Sequence, residues 1–212
     1  MFGSLIVYTG LAIAFLGAVA VIIPLKRLWI PTRARAAAVV AGGVLIAVAG
    51  LLLPASEKRA QPPLSHLDEF APVWQFNEQH EIAIAAPPDR VFEAIRAVRA
   101  DEIFLFSTLT WIRRFGRPLR EGILNPAKRE PLIDVALRGG FIRLADDPPR
   151  ELVIGVVIAA PPGMRGRLTP EVFKKALPPG FVLAVMNFYV TPDGRGGSNV
   201  TTETRVYANS DS

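Results

Sequence analysis

Glu81-Ile82-Ala83-Ile84-Ala85-Ala86-Pro87-Pro88-Asp89-Arg90-Val91-Phe92-Glu93-Ala94-Ile95 holds a strand, a break and a helix start in consecutive residues. Ile82 and Ile84 stand two apart, the spacing of one strand face, so 81–85 reads as a first strand. Pro87-Pro88 ends it. Proline is tolerated at the opening of a helix because the N–H it lacks has no intrahelical acceptor there. Val91, Phe92, Ile95 and Val98 then recur at close to helical spacing and predict a helix with one apolar face.

Outward from this stretch the pattern alternates between the two periods. Asp101-Glu102 opens a second predicted helix carrying Ile103, Phe104, Leu105, Phe106, Leu109, Trp111, Ile112 and Phe115. These residues wrap most of its circumference, so the expectation is burial on more than one side. Residues 132–137 read as a short helix stopped at Gly139-Gly140. Residues 141–145 and 152–160 read as strands around Asp146-Asp147-Pro148-Pro149, and 171–177 as a helical turn. Residues 181–191 and 199–208 form a hairpin around Pro192-Asp193-Gly194-Arg195-Gly196-Gly197. No helix follows that glycine cluster, so it is no dinucleotide loop. Upstream, 55–75 shows no clean period and reads as a linker stiffened by Pro62-Pro63, with His66 a loop residue and Trp74 an interfacial one. Helices grouped before meandering strands indicate an α+β fold with an antiparallel sheet, spanning 76–212.

The run from Glu81 to Ile95 resembles the opening of the SRPBCC (START/Bet v 1-like) superfamily, in which a first strand ends in a small-Pro-x-x-x-Val-Phe/Trp helix start. Thr201-Thr202-Glu203-Thr204-Arg205-Val206 resembles that superfamily's last strand. The resemblance covers about 76–208 and is carried by pattern alone. It implies a helix-grip fold, a curved antiparallel sheet gripping a long C-terminal helix with a hydrophobic cavity between them. It also implies binding of lipids, sterols or polyketides, or cyclase/dehydrase chemistry in a few members. The sequence departs from this pattern after the last strand, where Asn209-Ser210-Asp211-Ser212 stands in place of the long helix. The expectation is a helix-grip-like sheet lacking that helix, its concave face uncovered.

The N-terminal part is of another kind. No charged residue occurs from Phe2 to Leu25, nor from Ala36 to Pro54. At 1.5 Å per residue, each run is about long enough to cross a hydrocarbon core of ~30 Å. The expectation is a transmembrane hairpin over 1–54, with spans at about 4–25 and 36–54. Met1-Phe2-Gly3-Ser4 has no basic side chain and the apolar core is long, which argues against a cleaved signal peptide. Neither run has the polar stripe of a soluble helix. Lys26, Arg27, Arg33 and Arg35 lie between the runs, and positive-inside bias puts them in the cytoplasm, although Lys58 and Arg59 pull the other way. The C-terminal domain is then extracytoplasmic.

Composition narrows the chemistry. The chain has 212 residues, no cysteine and two histidines, with net charge +5. Disulfides, thiolate metal sites and Cys nucleophiles are excluded, and a multi-histidine metal centre nearly so. The four basic residues before 56 face no acid, whereas the remainder is close to balanced, so the charge gives no warrant for nucleic acid as a partner. These features together lead to the expectation of a membrane-anchored, non-catalytic protein for an apolar or lipid-like ligand, needing no cofactor or metal. Trp111, Phe141, Met186 and Phe188 are the candidate cavity lining. Arg113, Arg114, Arg117 and Arg120, with Lys128 and Arg129 beyond, are candidate contacts for lipid headgroups of the bilayer, weighed evenly against a solvated helix end. The loop at Met164, Arg165 and Arg167 is either a membrane-dipping lid or a surface loop. A cyclase/dehydrase enzyme is the first alternative, with His80, Asp134 and Glu203 as its acid–base candidates. An interaction domain with no cavity is the second. Glu203 and Arg205 share a strand face with Thr201 and Tyr207, and read first as an exposed ion pair on the convex face, otherwise as a polar-head anchor.

Overall fold

The computed structural model describes residues 2–25, 28–53, 56–118, 121–126, 129–163, 169–175 and 178–209. They fall into two compact units divided between Glu57 and Lys58.

The first unit is a helical pair, α1 (Phe2–Ile22) and α2 (Arg33–Leu51). Both are long and apolar enough to cross a membrane. Glycine and alanine set how closely they approach. Gly3, Gly10 and Gly17 recur every seven residues on α1, as do Ala36, Gly43 and Gly50 on α2. Gly3 lies against Gly50, Gly10 against Gly43 and Ala47, and Gly17 against Ala36 and Val40. A Cβ on Gly43 would stand 2.7 Å from the Gly10 carbonyl oxygen, closer than carbon tolerates. Contact every seven residues is 3.5 per turn, the repeat of two helices crossing with a left-handed twist. Thr32 caps α2 by accepting the Arg35 N–H at 3.3 Å, and Ile30 packs with Ala20 and Ala36 to close the turn. Arg33 and Arg35 therefore stand in the first turn of α2, while Lys26 and Arg27 lie outside the described residues.

The second unit is α+β. Five antiparallel strands, β3 (Phe76–Ile84), β4 (Ile142–Asp147), β5 (Glu151–Ala159), β6 (Phe181–Pro192) and β7 (Ser198–Asn209), lie in the order β3-β7-β6-β5-β4. The first long strand thus pairs with the last along its whole length, Phe76 opposite Val206 and Ile84 opposite Ser198. A two-residue ladder joins β1 (Lys58–Arg59) to β2 (Val73–Trp74). The helices are α3 (His66–Phe70), α4 (Pro88–Ala97), α5 (Phe106–Arg113), α6 (Leu132–Arg138) and α7 (Pro170–Phe173).

Period-two alternation in β5 and β6 splits the core between the two sheet faces. Val153, Leu183 and Val185 pack on one face with Leu67 and Phe70 of α3 and Phe173 of α7. Leu152, Ile154, Val190 and Val200 pack on the other with Val91 and Phe92 of α4 and Ile133 of α6. A strand covered on both faces has no polar side to show, so Glu151–Gly155 is buried throughout.

Three expectations are corrected. The segment 55–75 is no linker from Lys58 onward, and Trp74 is not interfacial: Leu67, Phe70, Ala71 and Trp74 are all buried against the sheet. The helix expected from Asp101 breaks into a 3-10 turn, Ala100–Glu102, and α5, which buries none of its residues. An all-round apolar sequence states a need for cover without supplying the surface that meets it. The first strand begins at Phe76, five residues early, because an edge strand exposed along its length keeps polar residues on both faces and hides its period.

Candidate functional site

Among the described residues, a hollow of the second unit lies on the α3 face of the sheet, opposite the face expected to hold a cavity. Leu183 and Val185 of β6 form its floor, Phe70, Ala71, Pro72 and Val73 one wall, and Phe173 another. Lys174, Lys175, Arg205, Tyr207 and Asn209 supply the polar rim, and the volume is about 260 Å³. This approaches the ~300 Å³ at which small-molecule sites begin.

Arg205 anchors this wall. It is buried, and its guanidinium lies 3.8 Å from the centre of the Trp74 ring. Nη1 donates to Asp68 Oδ1 at 2.6 Å and to the Ala71 carbonyl at 3.0 Å, while Nε and Nη2 donate to the two Glu203 oxygens at 2.9 and 3.0 Å. The pair expected on an exposed surface is therefore bidentate, with Arg205 buried and Glu203 half-buried. The correction follows from α3, which covers the strand face that Glu203 and Arg205 share.

Asp68 also accepts from the backbone N–H groups of Leu64 and Ser65, at 2.7 and 3.0 Å. Burial pushes its carboxyl up, but the Leu64 N–H, the Arg205 guanidinium and the Ser65 N–H together hold it below the ordinary aspartate value. Glu151, fully buried, receives the first N–H groups of α3 from His66 at 2.7 Å and Leu67 at 3.2 Å. Asn187 links the Glu151 carboxylate to the backbone of β7. Its Nδ2 donates to Glu151 at 2.7 Å and its Oδ1 accepts the Glu203 N–H at 3.1 Å.

These groups satisfy one another, and what they do is fix α3 and the pocket wall behind it. Two rim cations are held less tightly. Lys174 donates to Glu69 at 2.9 Å and sits over the Phe70 ring. The Lys174 hydrogen bond, followed by that from His66, lowers the Glu69 pKa below its usual value. Lys175 is exposed and makes no ion pair among the described residues. The pocket is thus an apolar recess with cations at its mouth, and its described lining contains neither a carboxylate nor an imidazole.

The structure redistributes the expected site residues. Phe141, Met186 and Phe188 do gather, but as packing against the Leu152–Ile154 core on the other face. Trp111 is not with them. It is 54% exposed on α5, beside Ser107, Thr108 and Arg114. His80 stands exposed on the edge strand, bonded to Glu78 at 3.0 Å, while Glu203 faces the opposite side of the sheet and Asp134 is exposed on α6. The three acid–base candidates therefore do not converge. Arg113 and Arg117 are exposed, and Arg114 is half-buried with Nη1 donating to Asn125 Oδ1 at 3.0 Å. Arg120, Lys128 and the Met164-Arg165-Arg167 loop lie outside the described residues.

Sequence reasoning missed Phe70, Val73, Phe173 and Lys174. A signal for the first was present. Ser65-His66-Leu67-Asp68 has the Ser-x-x-acid form of a helix start, and Leu67, Phe70, Ala71 and Trp74 follow at i, i+3, i+4 and i+7. No protein-family model matches the chain, and no curated protein does either.

Proposed function

We propose that this chain is a membrane-anchored, non-catalytic binding protein for an amphipathic, lipid-like ligand, with an SRPBCC-like second unit. The observation that carries the reading is the recess itself: an apolar floor of Leu183, Val185 and Phe173, rimmed by Lys174, Lys175 and Tyr207. Such a recess suits a ligand with an apolar tail and an anionic head. The strand ending at Ile84, the helix beginning at Pro88 and the antiparallel sheet support the SRPBCC part of the reading.

For the anchor, support comes from how little of α1 and α2 is covered. Only 17% and 22% of their candidate spans are buried, leaving Leu5, Phe15, Ile22 and Leu45 exposed. These faces call for an apolar surrounding. The basic turn is assigned to the cytoplasm and the second unit to the outside.

The test is lipid extraction from the full chain purified in mild detergent, followed by mass spectrometry. An amphipathic anion should accompany the wild type and be depleted in Leu183→Trp, which fills the recess, and in Lys175→Glu, which alters only an exposed rim charge. Equal recovery from all three proteins would remove the pocket from the reading. Orientation is read in the same cells. A Cys at Thr32 should resist an impermeant thiol reagent and one at Arg195 should react, and the reverse pattern would overturn the assignment.

A further inference from the structure

We propose that residues 103–118 form a second contact with the bilayer, docking on an anionic lipid surface with their apolar side chains in the headgroup layer. The inference rests on the membrane-anchored reading, which keeps a bilayer within reach of this unit. Its own observation is separate. Ile103, Phe104, Leu109, Trp111, Ile112 and Phe115 are 40–89% exposed, with Phe104 at 87% and Phe115 at 89%. Exposed apolar side chains this large and this closely grouped mark an interaction surface.

The backbone holds the group together. Leu105 and Phe115 bracket α5 at φ 59° and 52°, in the left-handed region that bulky residues rarely adopt. Such positions persist where the fold imposes them and concentrate at functional segments. Between them Trp111 folds onto Gly116, where a Cβ would stand 3.1 Å from the indole ring. Gly116 therefore leaves room for a bulky aromatic to lie flat along the segment.

Charge selects the occupant. Residues 103–118 contain Arg113, Arg114 and Arg117 and no acid. Arg113 and Arg117 make no ion pair among the described residues, while the nearby acids are already engaged: Asp101 and Glu102 by Arg99, Glu121 and Glu130 by Arg138. Aromatic and aliphatic side chains beside unpaired arginines match a surface that offers an apolar interior beneath negative heads. A second copy of the chain would bring the same three cations against each other.

The chain has no cysteine, so Phe115→Cys accepts a single thiol label. The labelled full chain is placed in phosphatidylcholine vesicles with or without phosphatidylglycerol, both carrying a lipid-borne nitroxide quencher. With phosphatidylglycerol, the label at 115 should be quenched and one at Arg195→Cys, on the exposed hairpin tip, should not. Combined Arg113→Gln, Arg114→Gln and Arg117→Gln should shift the docked fraction by roughly a hundredfold in ratio. Three results overturn the proposal: a label at 115 that stays aqueous, one that is shielded yet unquenched as in a protein–protein contact, or equal quenching at 195. Carbonate extraction of the same vesicles separates the two readings. A protein that resists extraction but shows no quenching at 115 keeps the anchor and loses the docking surface, whereas one that is extracted yet quenched keeps the docking surface and loses the anchor.

Discussion

Arg205 shows how one side chain ties a covering helix to a sheet. Its partners come from three places: Asp68 in α3, Glu203 on its own strand, and the Trp74 ring. Each is needed because a buried guanidinium left short of acceptors costs more than it contributes. Asp68→Asn is close to isosteric, removes the charge, and turns one accepting oxygen into an NH2 that must face either Arg205 or the Leu64 and Ser65 N–H groups. It should destabilise the full chain by about 1.5–3 kcal/mol at neutral pH, the usual range for a hydrogen bond to a charged group. The pH dependence has a definite sign. Asp68 has a depressed pKa in the folded state, so its contribution is fully present above the unfolded aspartate value near ~3.9 and is lost as pH falls through the lower folded value. Urea midpoints between about pH 2 and pH 7 should therefore fall less steeply on the acid side for Asp68→Asn than for the wild type. Parallel acid limbs would mean that Asp68 gains no charge-dependent stabilisation from Arg205.

At the scale of elements, the helical pair rests on which glycine is where. Gly42 and Gly43 are sequence neighbours, yet a Cβ on Gly42 meets nothing within 4 Å whereas one on Gly43 meets the backbone of Ala14 and Gly10. Gly43→Leu should thus cost about 1–3 kcal/mol of thermal stability in detergent, as overpacking does, and Gly42→Leu should be neutral or slightly stabilising. Equal effects would show that the helices do not pack on the seven-residue seam. That seam was open to reading in the sequence, through Gly3, Gly10, Gly17, Gly43 and Gly50. So were α4, α6, the late hairpin and the antiparallel sheet, because each carries its own period or turn. What could not be read was the partner of each surface. Phe106–Arg113 has a helix's sequence, but nothing in it says that no surface will cover it. Glu151 reads as an ordinary strand-start acid, and its role depends on His66 and Leu67, some eighty residues earlier. The pocket was hidden for the same reason. Its floor alternates legibly on β6 and Phe70 falls on the helical spacing from Leu67 to Trp74, but Val73 and Phe173 lie in segments too short to show a period.

At the scale of the second unit, the sheet is a middle layer, and this decides where the fold begins. The α4 face is covered by residues that follow β3. The other face takes much of its cover from residues that precede it: Leu67, Phe70, Ala71 and Trp74, all buried. Removing them uncovers Val153, Leu183 and Val185, and each Å² of apolar area returned to water forfeits ~25 cal/mol. It also strips Arg205 of Asp68 and Trp74, and Glu151 of the two N–H groups that donate to it. Both groups then face water on the uncovered side, so what they lose is their hydrogen bonds, and the returned apolar area is the larger loss. A chain begun at Lys58 keeps α3 and the β1–β2 ladder, and should be soluble and unfold cooperatively in urea. A chain begun at Phe76 keeps every long strand, and should instead aggregate or bind hydrophobic dye. Begun at Pro72, it retains Trp74 but lacks Asp68, Leu67 and Phe70, and it should behave like the shorter chain. The contrast between the Lys58 and Pro72 chains is the decisive one, because they differ only by the segment that carries α3. If both unfold with the same midpoint, α3 is an ornament on the sheet and the pocket wall it supports has no energetic basis.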